Sequence, residues 1–139
     1  MTSRTELTKL LENVKRGKVN IADALAQLNS TQFEDLGFAK VDHGRSLRCG
    51  FPEVIFAQGK TAAQITAIAK RIVQREGEIL ITRIDDKKFQ TVKKSLKALN
   101  YSPDAQAAFI RKSKAKANSG VLIVSAGTSD VSVAEEAAI

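Results

Sequence analysis

Four consecutive residues near the end of the chain, Gly127-Thr128-Ser129-Asp130, combine types suited to holding a phosphorylated sugar. The glycine lets the backbone turn. The hydroxyls and backbone N–H groups can donate to phosphate oxygens, and the helical pattern that follows would aim its positive end at the same anion. Asp130 in such a turn suits sugar hydroxyls better than phosphate. The same pattern also serves as a simple capped strand-to-helix turn. Gly59-Lys60-Thr61 is a second phosphate-like triplet, at the opening of a helical stretch. A P-loop requires a further glycine five residues before Gly59, where Val54 stands, and this argues against a nucleoside-triphosphatase loop. A phosphate on that helix N-terminus and plain capping by Thr61 both remain open.

The segment between these turns and the N-terminus is rich in ionisable groups. His43 is the sole histidine and Cys49 the sole cysteine. A nucleophilic pair would need both on one geometry, which their spacing does not set, and zinc would need more soft ligands than the chain has. Glu34, Asp35, Asp42 and Glu53 are the carboxylates that could take magnesium together with a phosphate. Salt bridges to Arg45 and Arg48 account for them equally well. The lone cysteine forms no internal disulfide and suits a reducing cytoplasm.

The chain has 139 residues, the size of one ordinary domain. With 43% hydrophobic and 27% charged residues it has the composition of a globular protein. No apolar run approaches the ~20 residues that span a bilayer, and the first residues lack the apolar core of a signal peptide. The net charge of +7 favours anionic partners. The lysines cluster at 87–97 and 111–116 without tryptophan or an RNA-recognition signature, so solvated helix and loop faces explain them better than nucleic acid does.

The elements that must position these groups follow from periodicity. Leu7, Leu10, Leu11 and Val14 share one helical face, with Gly17 as the stop. Asn20 caps a second short helix carrying Ile21, Ala24, Leu25 and Leu28, which makes a helical hairpin. Residues 30–51 lack a clear period and read as an ordered loop with a short strand at 37–41. Three strands are expected at 53–56, 78–84 and 107–111. Between them, one helix is capped by Thr61 and closed by Gly77, and a second runs from Asp85 to about Leu99. The fold class is therefore α/β: the helical hairpin, then a small mixed or parallel three-stranded sheet with helices. A linker at 111–119 leads to Val121-Leu122-Ile123-Val124, an unbroken apolar run expected as a strand covered on both faces. Only about two turns of the following helix are present. The division expected is 1–116 for the first domain and 117–139 for the opening of another, truncated one.

Two stretches resemble a known family. Leu36-Gly37-Phe38-Ala39-Lys40-Val41-Asp42, Arg45, Arg48, Gly50-Phe51-Pro52-Glu53-Val54-Ile55-Phe56 and Gly59-Lys60-Thr61 are similar to the N-terminal half of the LarB family. Ser125 to Asp130 and Ala134-Glu135-Glu136-Ala137 resemble the start of its PurE-like (Rossmann-like) domain, related to AIR carboxylase. The resemblance implies an enzyme of nickel-pincer nucleotide cofactor biosynthesis. It would act as carboxylase and hydrolase, converting nicotinic acid adenine dinucleotide and CO2 to pyridinium-3,5-biscarboxylic acid mononucleotide with release of AMP. It also implies assistance by Mg2+, no organic cofactor, and a homo-oligomer. The family's cysteine nucleophile lies in the PurE-like domain, so no catalytic residue is assigned in this chain and Cys49 is not promoted to that role. Substrate contact is carried onto Gly127, Thr128, Ser129 and Asp130. Lys40, Asp42, Arg45, Arg48, Glu53 and Lys60 follow because the family's motif contains them and their charges suit a dinucleotide. Two other readings of the residues are a stand-alone nucleotide- or RNA-binding module and an assembly domain without chemistry.

Overall fold

The computed structural model describes residues 4–30, 33–112 and 120–139. The chain divides into two units, Met1–Glu53 and Val54–Ile139.

The first unit opens with helices α1 (Arg4–Lys15) and α2 (Ile21–Ser30), the expected hairpin. Gly17 takes a φ of +68° where the chain reverses. Asn20 starts α2, its Oδ1 accepting the N–H of Asp23 at 2.8 Å. Ala24 is buried, but Leu11, Ile21 and Leu25 stay more than half exposed, so the pair gains little from its own contact. Strands β1 (Phe33–Asp35) and β2 (Lys40–Asp42) then form an antiparallel hairpin. The strand expected at 37–41 begins only at Lys40. Gly37, with φ of +80°, belongs to the turn, where its N–H donates to Asp35 Oδ1 at 2.7 Å. A short helix α3 (Arg45–Cys49) follows and stops at Gly50, which has a φ of +71°.

The second unit is a mixed sheet with four strands rather than the expected three. These are β3 (Val54–Phe56), β4 (Ile79–Thr82), β5 (Asn100–Ser102) and β6 (Ala107–Ile110), in the order β3-β4-β6-β5. Only β3 and β4 run parallel, joined through helix α4 (Ala62–Glu76). Helix α5 (Asp86–Ser95) connects β4 to β5 and ends four residues before Leu99, whose N–H closes a turn onto Leu96. Leu99 is nevertheless fully buried.

Register explains the layering. Ile55, Ile81, Ala108 and Tyr101 stand side by side across the strands and share one face of the sheet. Phe89 of α5 stacks on Tyr101 with ring centres 4.5 Å apart, and α4 lies alongside α5 on that face. From α4, Ile65, Ile68, Ala69 and Ile72 point into the layer between. Ile65, Ile72 and Ile81 are at most 1% exposed, and burial of each contributes roughly 1.5–3 kcal/mol. The opposite face carries Val54, Leu80 and Phe109 and receives neither of those helices.

Beyond residue 119 the expectation of a strand is not met. Val121, Leu122 and Val124 are at least 81% exposed, and residues 121–124 pair with no strand among the described residues. Ladder hydrogen bonds need a neighbouring strand, and without one apolar content alone leaves the run irregular. A 3-10 turn, Thr128–Asp130, then leads into helix α6 (Val131–Ala138).

Candidate functional site

The segment from Glu34 to Glu53 is built by its own polar groups. Glu53 Oε2 accepts the backbone N–H of Asp42 at 2.6 Å, and Asp42 Oδ1 accepts that of Gly44 at 3.0 Å. The two carboxylates therefore hold the passage from β2 into α3. His43 is 7% exposed and its Nε2 lies 2.9 Å from Glu34 Oε2. β1 and β2 place them close, since Glu34 pairs with Val41 two residues before the histidine. Lys40 and Arg45 are exposed on this frame. The side chain of Arg48 lies outside the described residues. Cys49 is exposed at the last position of α3.

Among the described residues no three His, Cys, Asp or Glu side chains group to hold a metal ion. Asp42 and Glu53 each give one oxygen to a backbone N–H group, and Glu34 gives one to His43.

In the second unit, Gly59-Lys60-Thr61 forms the turn between β3 and α4. Lys60 Nζ donates back to the Phe56 carbonyl at 2.8 Å, and Gly59 takes a φ of +77°. Thr61 Oγ1 accepts the N–H of Gln64 at 3.2 Å, and the Gln64 side chain accepts that of Thr61 at 2.9 Å, a complete capping box. The arrangement caps the helix. Two of the lysines counted as a basic patch are also engaged locally. Lys88 lies 3.5 Å from Asp85, and Lys93 donates to the Leu99 carbonyl while its ammonium stands over the Phe89 ring.

Gly127, Thr128, Ser129 and Asp130 are all exposed at the entry to α6. Gly127 has a φ of +90°, and Asp130 makes no side-chain cap for the helix. The Asp130 Oδ1 accepts instead from the Ser129 hydroxyl at 3.4 Å, whereas Asp85 caps its helix by accepting the Lys88 N–H at 2.8 Å.

Periodicity gave no signal for three further residues. Arg83 follows β4 with a φ of +53°, and its Nε is 3.0 Å from Glu136 Oε2. That oxygen is buried without an aligned hydrogen bond, so the contact is an ion pair with its N–H pointing aside. Arg111 lies over the Phe109 ring at 4.9 Å and donates to the Ile139 main-chain oxygen. Tyr101 donates its hydroxyl to the Ile84 carbonyl at 3.2 Å. Burial, followed by the nearby Asp86 and Asp85 charges, pushes its pKa above the usual phenol value.

Together these features define an α/β protein with a hairpin-and-loop segment held by carboxylates, ahead of a one-sided mixed sheet. The chain belongs to the LarB/PurE-like N-terminal domain family, whose sequence model matches residues 33–113. That is a carboxylase-related family. The chain is also 32% identical, over 139 aligned residues, to an uncharacterised protein of Methanocaldococcus jannaschii. The alignment takes in 94% of this chain and 54% of that protein, so the chain spans about half the length of the curated relative it matches. Among the described residues no helix is long and apolar enough to cross a membrane.

Proposed function

We propose that this chain is the substrate-shaping part of a carboxylase and hydrolase acting on nicotinic acid adenine dinucleotide in nickel-pincer nucleotide cofactor biosynthesis. CO2 is the second substrate, and AMP leaves when the phosphoanhydride is cut. The setting is the cytoplasm, and the working protein is a homo-oligomer. The observation that carries the reading is the Lys40–Glu53 segment inside the family match. Its acidic groups are committed to backbone N–H groups, while Lys40 and Arg45 are exposed.

A guanidinium binds a phosphate through two parallel N–H bonds and stays charged at any working pH. Arg45, in the first turn of α3, is the principal contact on this segment, and Lys40 on β2 adds a point charge. In the second unit, the Gly127–Asp130 turn suits a phosphate–ribose group through its backbone N–H groups, with Asp130 accepting from sugar hydroxyls. Carboxylation at C5 of a cationic pyridinium needs a nucleophile to add first and supply electron density. Cys49, exposed at the last position of a five-residue helix, is not assigned that role, since the family's nucleophile lies in the PurE-like domain. The role left to this chain is to bind and orient.

The test is titration calorimetry of the dinucleotide into the chain and into Arg45→Ala. Loss of one charge-assisted contact should cost about 1.5–3 kcal/mol, about ten-fold or more in affinity. Unchanged affinity would remove Arg45 from the site.

A further inference from the structure

We propose that His43 and Glu34 are positioning residues for Arg45: their partly buried bond ties the end of β2 back to β1 and so fixes where α3 presents its first guanidinium. The inference rests on the reading that Arg45 takes a phosphate of the dinucleotide.

The β1–β2 hairpin sorts its residues by the two-residue period of a strand. Phe33, Asp35 and Lys40 are on one face and exposed. Glu34 and its cross-strand partner Val41 are on the other, where Val41 is 1% exposed. His43, two positions past Val41, is buried as well. A polar ring placed there costs free energy unless it is hydrogen-bonded. Glu34 supplies the bond at 2.9 Å, and because a carboxylate only accepts, His43 Nε2 is the donor.

What this bond fixes is the start of α3. That helix has five residues, too few to stand on its own hydrogen bonds, and Gly44 ahead of it offers no side-chain cap. The direction of Arg45 is therefore inherited from residues 42–44. Three side-chain bonds among the described residues hold that passage. Asp42 Oδ1 takes the Gly44 N–H locally, Glu53 reaches the Asp42 N–H from beyond α3, and His43 anchors it to β1. A phosphate held by a guanidinium needs two N–H bonds in one plane, so aim matters more for Arg45 than for the point charge of a lysine. Without the His43 anchor the arginine would stay present and charged but free to wander, and the ligand would have to order it.

The experiment is a double-mutant cycle by titration calorimetry of the dinucleotide into the full chain. His43→Leu keeps the bulk and removes the donor. It should weaken binding about fivefold, the scale of having to order one long side chain on binding. In the Arg45→Ala background the same change should weaken binding no further, because the residue it aims is gone. His43→Gln, whose amide can donate to the same carboxylate, should recover most of the affinity. Glu34→Gln keeps an oxygen without its charge and should lose about twofold, which closes the cycle if His43→Leu does not fold. An equal loss with and without Arg45 would make the pair a plain structural bond and overturn the positioning role. Unaltered affinity in both His43→Leu and Glu34→Gln would overturn it too. A wild-type chain that binds no dinucleotide would instead defeat the functional reading, and this inference with it.

Discussion

Glu53 tests whether the candidate loop is a built frame. Its carboxylate accepts the Asp42 N–H at 2.6 Å in a partly buried place, reaching back eleven residues along the chain. Glu53→Ala leaves that N–H without this acceptor. A charge-assisted bond of this kind is worth about 1.5–3 kcal/mol, so local opening should become roughly ten- to 150-fold more frequent. Glu53→Gln keeps an oxygen of the same reach but no charge, and since neutral bonds have about half the strength, it should lose about half as much free energy. Hydrogen exchange at the Asp42 amide reads the opening directly. The amides of Ile65 and Ile72 in α4 serve as controls and should keep their protection. If Asp42 exchanges at the wild-type rate in both variants, the carboxylate is not holding the loop. The segment would then owe its shape to the β1–β2 hairpin alone.

Thr61→Ala should lower stability by about 1 kcal/mol through loss of the capping box, seen as a lower urea midpoint, while Thr61→Ser should keep most of it. Asp85 should give a pH-dependent contribution. The Lys88 backbone N–H, with the Lys88 charge adding to it, holds the Asp85 carboxyl below its ordinary range. A carboxyl depressed on folding contributes stability that is present above its unfolded pKa and lost as pH falls through the folded one. The urea midpoints of wild type and Asp85→Ala should therefore differ most near neutral pH and converge in acid.

The second unit was legible where strong local signals agreed. Thr61 and Gly77 bracket α4, and Asp85 starts α5, because caps act through their own side chains and backbone angles. Ile79 to Thr82 reads as a strand since buried β-branched residues leave few other choices. Strand β5 escaped because Asn100-Tyr101-Ser102 is a three-residue edge with a single large side chain, and only Pro103-Asp104 after it signals a turn. Helix α3 is too short to show a period. The run 121–124 shows the opposite failure, strand composition without a partner to pair with. At the site, the sequence offered the carboxylates but not the backbone N–H groups that they hold. Whether Asp42 and Glu53 bind a metal or cap backbone N–H groups depends on distances that residue types do not encode. The Arg83–Glu136 contact, 53 positions apart, had no local signal at all.

The strand order β3-β4-β6-β5 has a bearing on how the unit assembles. β5 and β6 close across a tight turn in which the Gln106 N–H meets Pro103 O, and hairpins of this kind form within microseconds. β4 joins β6 after a span that contains α5. β3 joins β4 through a crossover that contains α4, a long closure for its single pairing. Strand β3 is also at the edge of the sheet, so nothing else waits on it. A β3 that joins last would have the turn bearing Lys60 and Thr61 mature against a surface already folded, and Thr61→Ala should then speed unfolding with little effect on the folding rate.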